Sequence, residues 1–351
     1  MARYCAGIIG CGGMGLRHAA AYAFLDDVEL VAGADASDRR EADYRKLGMQ
    51  RFYGDAAEML AREELDLVSV CTPPLQHAGP TIAAAEAGVK GIVCEKPMAP
   101  DLPSCDAMIA ACERNGVKLA IGHQRRYAPQ YVRGRELVAA GALGEPLLLW
   151  GMTPGSDVMT WGVHWLDMFH FLVPGPQVTT VMGQVDVEQQ RLTGHGEFVE
   201  DALLGHLTYD NNMRAVLECG DLAQPPPNQP IHATVRVYGT RGVFEANDIG
   251  STWMSGDVCD HQPVPSPFES RDARERAQQW IEQAQELVRC IAEGGEHQCD
   301  GHAGRRTIEL ACAIWESARS RRLVRLPLEA GECPLYGLWR GERRPWEEGQ
   351  R

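Results

Sequence analysis

The sequence predicts an α/β chain whose first third is a doubly wound parallel sheet. Three observations carry this. Near-continuous apolar runs recur at short intervals, helical patterns separate them, and the first run ends in a glycine-rich turn. The runs are "YCAGIIG" (4–10), "VELVAGAD" (28–35), "LDLVSVCT" (65–72), "GIVCEK" (91–96) and "KLAIGH" (118–123). Such runs suit strands buried on both faces. Between the last two, "SCDAMIAACERNG" sets Cys105, Met108, Ile109 and Cys112 at i, i+3, i+4, i+7. Ser104 is the expected N-cap and Gly116 the stop.

The second half changes rhythm. Beyond about residue 124 come alternating strands: "PLLLWGMT" (146–153), "VTTVMGQVDV" (178–187), "DALLGHLTY" (201–209), "MRAVLECG" (213–220) and "HATVRVYG" (232–239). The turn signals include "YDNNM" and "GTRG", and "DLAQPPPNQP" is a proline-rich loop between two strands. Two late helices follow. In the first, Trp280, Ala284, Leu287 and Ile291 read as core. The end, "YGLWRGERRPWEEGQR", reads as an extended or disordered tail whose two tryptophans suggest docking.

The 351 residues allow two domains. A formal net charge of −14 argues against non-specific nucleic-acid binding. No signal peptide and no membrane span are read, so a cytoplasmic protein is expected. The 12 cysteines are scattered, and Cys5, Cys71 and Cys94 sit in strand-like runs as small hydrophobes. No spacing suggests zinc, and no metal is expected.

The turn "GCGGMG" places Gly10, Gly12 and Gly15 as G-x-G-x-x-G, with Gly13 and Met14 between. Gly10 allows the tight turn, Gly12 lets a pyrophosphate approach the backbone, and Gly15 lets helix and strand pack closely. The helix N-terminus supplies amide donors and a favourable dipole. Asp35, about 20 residues on, would accept from the adenosine ribose. The expected cofactor is therefore NAD. Arg39, Arg40 and Ser37 could instead reach a 2′-phosphate, so NADP stays open.

Two further motifs lie at strand ends, where open α/β sheets bind ligands. They are "CTPPLQH" (71–77) and "CEKPMA" (94–99), the latter with a candidate cis Lys96–Pro97 bond. With Thr72-Pro73, His77, Glu95-Lys96-Pro97, "GHQRRYAP" (122–129), "GVHWLD" (162–167), "VED" (199–201), "VYGTRGVFE" (237–245) and "RLVRLPL" (322–328), the chain resembles the Gfo/Idh/MocA oxidoreductases over nearly its whole length.

The resemblance implies a Rossmann domain (1–123), then an α/β domain with a large, open, mostly antiparallel sheet (124–328), and a tail (329–351). It also implies a homodimer or homotetramer packed through that sheet. The implied activity is hydride transfer between a secondary alcohol of a sugar, cyclitol or related polyol and the nicotinamide. Lys96 and His164 are the implied catalytic pair. The cofactor-contacting set would be Gly10, Gly12, Gly13, Met14, Gly15, Asp35, Thr72, Pro73, His77, Glu95 and Lys96. Arg126, Asp157, Thr160 and Asp167 are candidates for substrate contact.

His164 lies in "VMTWGVHWLDMFHFL" (158–172), where Trp161, Trp165, Met168 and Leu172 form a stripe expected in the core. His164 and Asp167, at i and i+3, share another face and are expected to meet the nicotinamide. His170 stands six residues from His164, too far round for both to chelate one ion. The family pattern has an aspartate four residues before the histidine; here that position is Thr160. Threonine offers a hydrogen bond but no charge, and Asp157 is the nearest substitute. Two alternatives remain open: a redox-assisted lyase or glycosidase with tightly bound NAD, and a non-catalytic NAD-binding regulator.

Overall fold

A computed structural model describes residues 4–221, 232–256, 258–263, 272–341 and 344. The chain forms two compact units, one from residues 1–124 and 267–305, the other from 125–266 and 306–351.

The first unit is a six-stranded parallel sheet. Its strands are β1 (Tyr4–Ile9), β2 (Val28–Ala34), β3 (Arg51–Tyr53), β4 (Leu67–Val70), β5 (Gly91–Cys94) and β6 (Lys118–Ile121), in the order β3-β2-β1-β4-β5-β6. This is the doubly wound order with its switch point between β1 and β4. β3 has three residues, too few to carry a period, and no apolar run marks it. Helix α1 (Gly13–Ala23) packs on α8 (Ala273–Glu293). Trp280, Ala284 and Leu287 of α8 are buried in that core, with Ile291 packed at its edge. The chain thus returns to the first unit after building most of the second.

Helix α5 (Leu102–Arg114) starts two residues before the expected cap. Asp101, not Ser104, is the N-cap: its carboxylate accepts from Ser104 N at 2.8 Å, and Pro103 fills the first turn. Aspartate is as good a cap as serine, and Pro103 presets the helical φ, so the earlier start wins.

The second unit holds a nine-stranded mixed sheet. Five strands fall on the apolar runs: β7 (Pro146–Pro154), β8 (Val178–Asp186), β9 (Ala202–Tyr209), β10 (Arg214–Gly220) and β11 (Thr234–Gly239). The others are β12 (Val243–Asn247), β13 (Gly250–Ser255), β14 (Val258–Pro263) and β15 (Val324–Arg325). The order is β14-β13-β12-β11-β7-β10-β9-β8-β15, antiparallel except for β7 with β10. β14 has no alternation of buried and exposed residues, which is why the sequence leaves it unmarked.

Apart from Asp221, the proline-rich loop lies outside the described residues. So does the second tryptophan of the tail, Trp346. The first part of the tail is docked. Leu335 and Tyr336 are buried, and Trp339 meets Phe198 edge-on at 5.0 Å. No helix among the described residues is long and apolar enough to cross a membrane.

Candidate active site

In the first unit the glycine turn follows β1 directly. Gly10 has φ +92°, and a Cβ there would lie 2.5 Å from the carbonyl carbon of Cys71. Only glycine fits where the end of β4 crosses the turn. Gly15 is equally crowded, with the Gly10 oxygen 2.3 Å from any added Cβ. Gly12 and Gly13 differ: a Cβ on either meets nothing within 4 Å. Two glycines therefore serve packing, and two leave open space over the N-terminus of α1. Asp35 is pinned beside this turn. Its Oδ2 accepts from Cys11 N at 2.7 Å and its Oδ1 from Ser37 N at 2.8 Å. One lone pair on each oxygen is left for a diol. Open turn, helix N-terminus and anchored carboxylate fit a dinucleotide. Arg39 and Arg40 are exposed.

The two strand-end motifs are tied together. His77 is buried, with Nδ1 2.8 Å from the Pro97 carbonyl and Nε2 2.8 Å from the Thr72 carbonyl. Burial pushes its pKa down, against the pull of those carbonyls and of Glu95. Its ring braces the loops of Thr72-Pro73 and Lys96-Pro97. The Lys96–Pro97 bond is cis. Lys96 is half-buried, and its backbone N donates to Glu95 Oε2 at 3.2 Å. Glu95 is buried and pairs with His18 at 2.8 Å.

In the second unit the stretch 158–172 is not one uniform helix. Val158–Gly162 is a π-turn and α7 (Val163–Leu172) continues it. Asp157 caps the turn, accepting from Thr160 N at 2.7 Å. Glu200 holds it from behind, its Oε1 accepting from Val158 N at 2.6 Å and its Oε2 from Trp315 Nε1 at 3.3 Å. Gly162 leaves no room for a Cβ, which would lie 2.7 Å from Cys219 Sγ. Trp165, Met168 and Leu172 are buried as the stripe predicts, while Trp161 is only half-buried. The π-turn's extra residue rotates Trp161 off the stripe.

His164 is buried, its ring 5.9 Å from Trp161 in an edge-on contact. Asp167 is buried too, and Arg126 grips its carboxylate with two nitrogens, Nε at 2.8 Å. These two candidates bind each other. Thr160 is exposed on the π-turn.

Other side chains were not picked out by sequence reasoning. Arg125 pairs with Asp248 and lies over the rings of Trp161 (4.7 Å) and Trp165 (5.3 Å). Either arginine of "QRRY" fits the motif equally, and only packing tells them apart. Glu200 stands in the quoted "VED", yet nothing local signals its burial. Burial and the nearby Asp157 push its carboxyl up to about 8, while its hydrogen bonds oppose the rise.

Residues 5–123 match the oxidoreductase family with NAD-binding Rossmann fold, Gfo/Idh/MocA, and residues 153–326 match its C-terminal alpha/beta domain. The chain belongs to the Gfo/Idh/MocA family. It is an NAD-binding oxidoreductase. Among relatives, D-apiose dehydrogenase of Paraburkholderia graminis is 29% identical over 95% of this chain and 92% of its own. Myo-inositol 2-dehydrogenase of Thermotoga maritima is 25% identical over 91% and 98%. Among solved structures, levoglucosan dehydrogenase in complex with NADH and L-sorbose superposes with a TM-score of 0.80, at 22% identity over 93% of this chain and 100% of that one. That last likeness is one of fold.

Proposed function

We propose that this Gfo/Idh/MocA oxidoreductase oxidises a secondary alcohol of a sugar, cyclitol or related polyol, with Lys96 and His164 at the reacting centre. One observation carries the substrate class. Two relatives that align with nearly the whole chain are named as dehydrogenases of polyhydroxylated compounds, D-apiose and myo-inositol.

The bound nicotinamide supplies the hydride acceptor. The chain's residues manage the rest. His164 takes the hydroxyl proton as a general base. The Lys96 ammonium stabilises the developing oxyanion, a task suited to a fixed charge in a water-poor site. Thr160 and Asp157 offer a hydroxyl and a carboxylate oxygen to substrate hydroxyls. The buried Arg126–Asp167 pair fixes α7 and with it the His164 ring. Asp35 favours NAD over NADP.

In this reading residues 1–123, with 267–305 packed on them, form the cofactor half, the rest of 124–328 the substrate half and 329–351 the tail. The protein acts in the cytoplasm as a homo-oligomer. The sheet face carrying exposed Met182, Leu204 and Met254 is the proposed contact.

The test is a panel of sugars and cyclitols with NAD and NADP, read by absorbance of the reduced nicotinamide. A dehydrogenase accumulates reduced cofactor in step with product. A redox-neutral lyase consumes substrate without that accumulation, which would overturn the reading.

A further inference from the structure

A buried chain of hydrogen bonds in the first unit has no part in the chemistry described so far. Tyr22 and His18 lie on α1, Ser69 on β4, and Glu95 directly after β5. Tyr22 Oη is 2.7 Å from Ser69 Oγ, Ser69 Oγ is 3.1 Å from His18 Nδ1, and His18 Nε2 is 2.8 Å from Glu95 Oε1. All four residues are buried.

The donors can be ordered. An ionised carboxylate only accepts, so His18 Nε2 donates to Glu95. Nδ1 meets the Ser69 hydroxyl, as acceptor in a neutral ring and as donor in a charged one. Tyr22, whose phenol burial keeps protonated, has a proton to donate to the Ser69 oxygen.

Glu95 is held ionised at a buried position, which needs compensation. Burial pushes its carboxyl up, but its contacts with His18, Lys96 and His77 outweigh this and hold it below the usual range. Arg17 on α1 also feels the carboxylate. The thiols of Cys71 and Cys94 face it as well, and burial pushes both up, so they stay neutral. Space is reserved for the group: a Cβ on Gly122 would come within 2.9 Å of the carboxyl carbon. The other carboxylate oxygen accepts from the backbone N of Lys96. One anion thus joins the helix that opens at the glycine turn to the main chain of the lysine.

We propose that His18 is a positioning residue for Lys96: backed by Ser69 and Tyr22, it anchors the Glu95 carboxylate that orients the lysine. The inference rests on the reading that Lys96 serves the reaction, but its test does not depend on turnover.

The test is competitive acetylation of the full-length protein with acetic anhydride across a pH series, with Lys96 followed by mass spectrometry. Thermal melting and NAD binding check the fold of each variant. In Glu95→Gln the labelling midpoint of Lys96 should fall by about one pH unit, the usual effect of losing an adjacent opposite charge. His18→Ala should shift it in the same direction. His18→Gln, which keeps one donor, should restore most of the wild-type value. Ser69→Ala, a milder change, should give a smaller shift of the same sign and covers the case where His18→Ala does not fold. An unchanged midpoint in Glu95→Gln, or in both His18→Ala and Ser69→Ala, overturns the proposal. Normal turnover in Lys96→Ala, with these shifts present, would instead overturn the assigned role of the lysine.

Discussion

Thr160 stands where the family resemblance implies an aspartate, and Asp157 is the carboxylate bonded to its backbone. The residue is exposed, and its backbone N–H is capped by Asp157 three residues earlier. The cap occupies one carboxylate oxygen and leaves the other available. If Asp157 supplies the missing charge, Asp157→Asn should lower kcat at least about tenfold, a small share of what a proton-handling group contributes. Thr160→Asp should change the rate little. The opposite ranking in initial-rate assays would assign the role elsewhere. Glu200 makes a separate prediction. Its folded-state carboxyl titrates near 8 against an ordinary 4.5. Between those values the folded chain binds more protons than the unfolded chain, so this residue's contribution to stability declines as pH rises through that window. Denaturant titrations should therefore show Glu200→Gln gaining on the wild type from pH 5 to 8. A constant difference would mean that Glu200 is ionised throughout. The Glu200 and Arg126 contacts are not local. Glu200 meets Val158 across 42 residues, and Arg126 meets Asp167 across 41. A linear motif marks the residues of such a pair but not that they meet.

At the scale of elements, the sequence is most legible where packing on both faces forces a run of apolar residues. β1, β2, β4, β5 and β6 are of that kind, and the buried face of α5 shows its own period. It is least legible at ends and edges, such as the Asp101 cap, the three-residue β3 and the unpatterned β14. The π-turn was also hidden, because it depends on Glu200 and on the crowding at Gly162 rather than on a period. The glycine turn was read in full, and the structure divides its glycines by task. Gly15→Ala should destabilise the fold, since the clash is with backbone that cannot move aside. Gly12→Ala should leave the melting temperature nearly unchanged but weaken NAD binding at least about tenfold, the equivalent of roughly 1.4 kcal/mol. Calorimetry of the two variants with and without NAD separates the effects, and equal effects on both would contradict the division. In α7, Asp167→Asn strands the buried Arg126 charge. It should cost about 3–5 kcal/mol, measured by chemical denaturation.

At the scale of the whole molecule, the two units carry the proposed partners of one reaction: Lys96 at a strand end in the first and His164 on α7 in the second. Fold class and family were legible because glycine turn, acidic residue and EKP stretch recur in order along the chain. The substrate was not legible. Apart from Asp221, the proline-rich loop lies outside the described residues, and Asp167, three residues from His164, is held by Arg126 from 41 residues away. The exposed apolar residues on the nine-stranded sheet predict self-association, and Met182→Asp with Leu204→Asp should shift the sedimentation profile toward the monomer. The most direct test of the account is turnover of Lys96→Ala and His164→Ala on the best substrate of the polyol panel, with NAD binding measured in parallel. Each variant should bind NAD as the wild type does and lose about 10²-fold or more in kcat, the lower range for a group that handles the reacting proton or charge. Wild-type rates in either variant would contradict it.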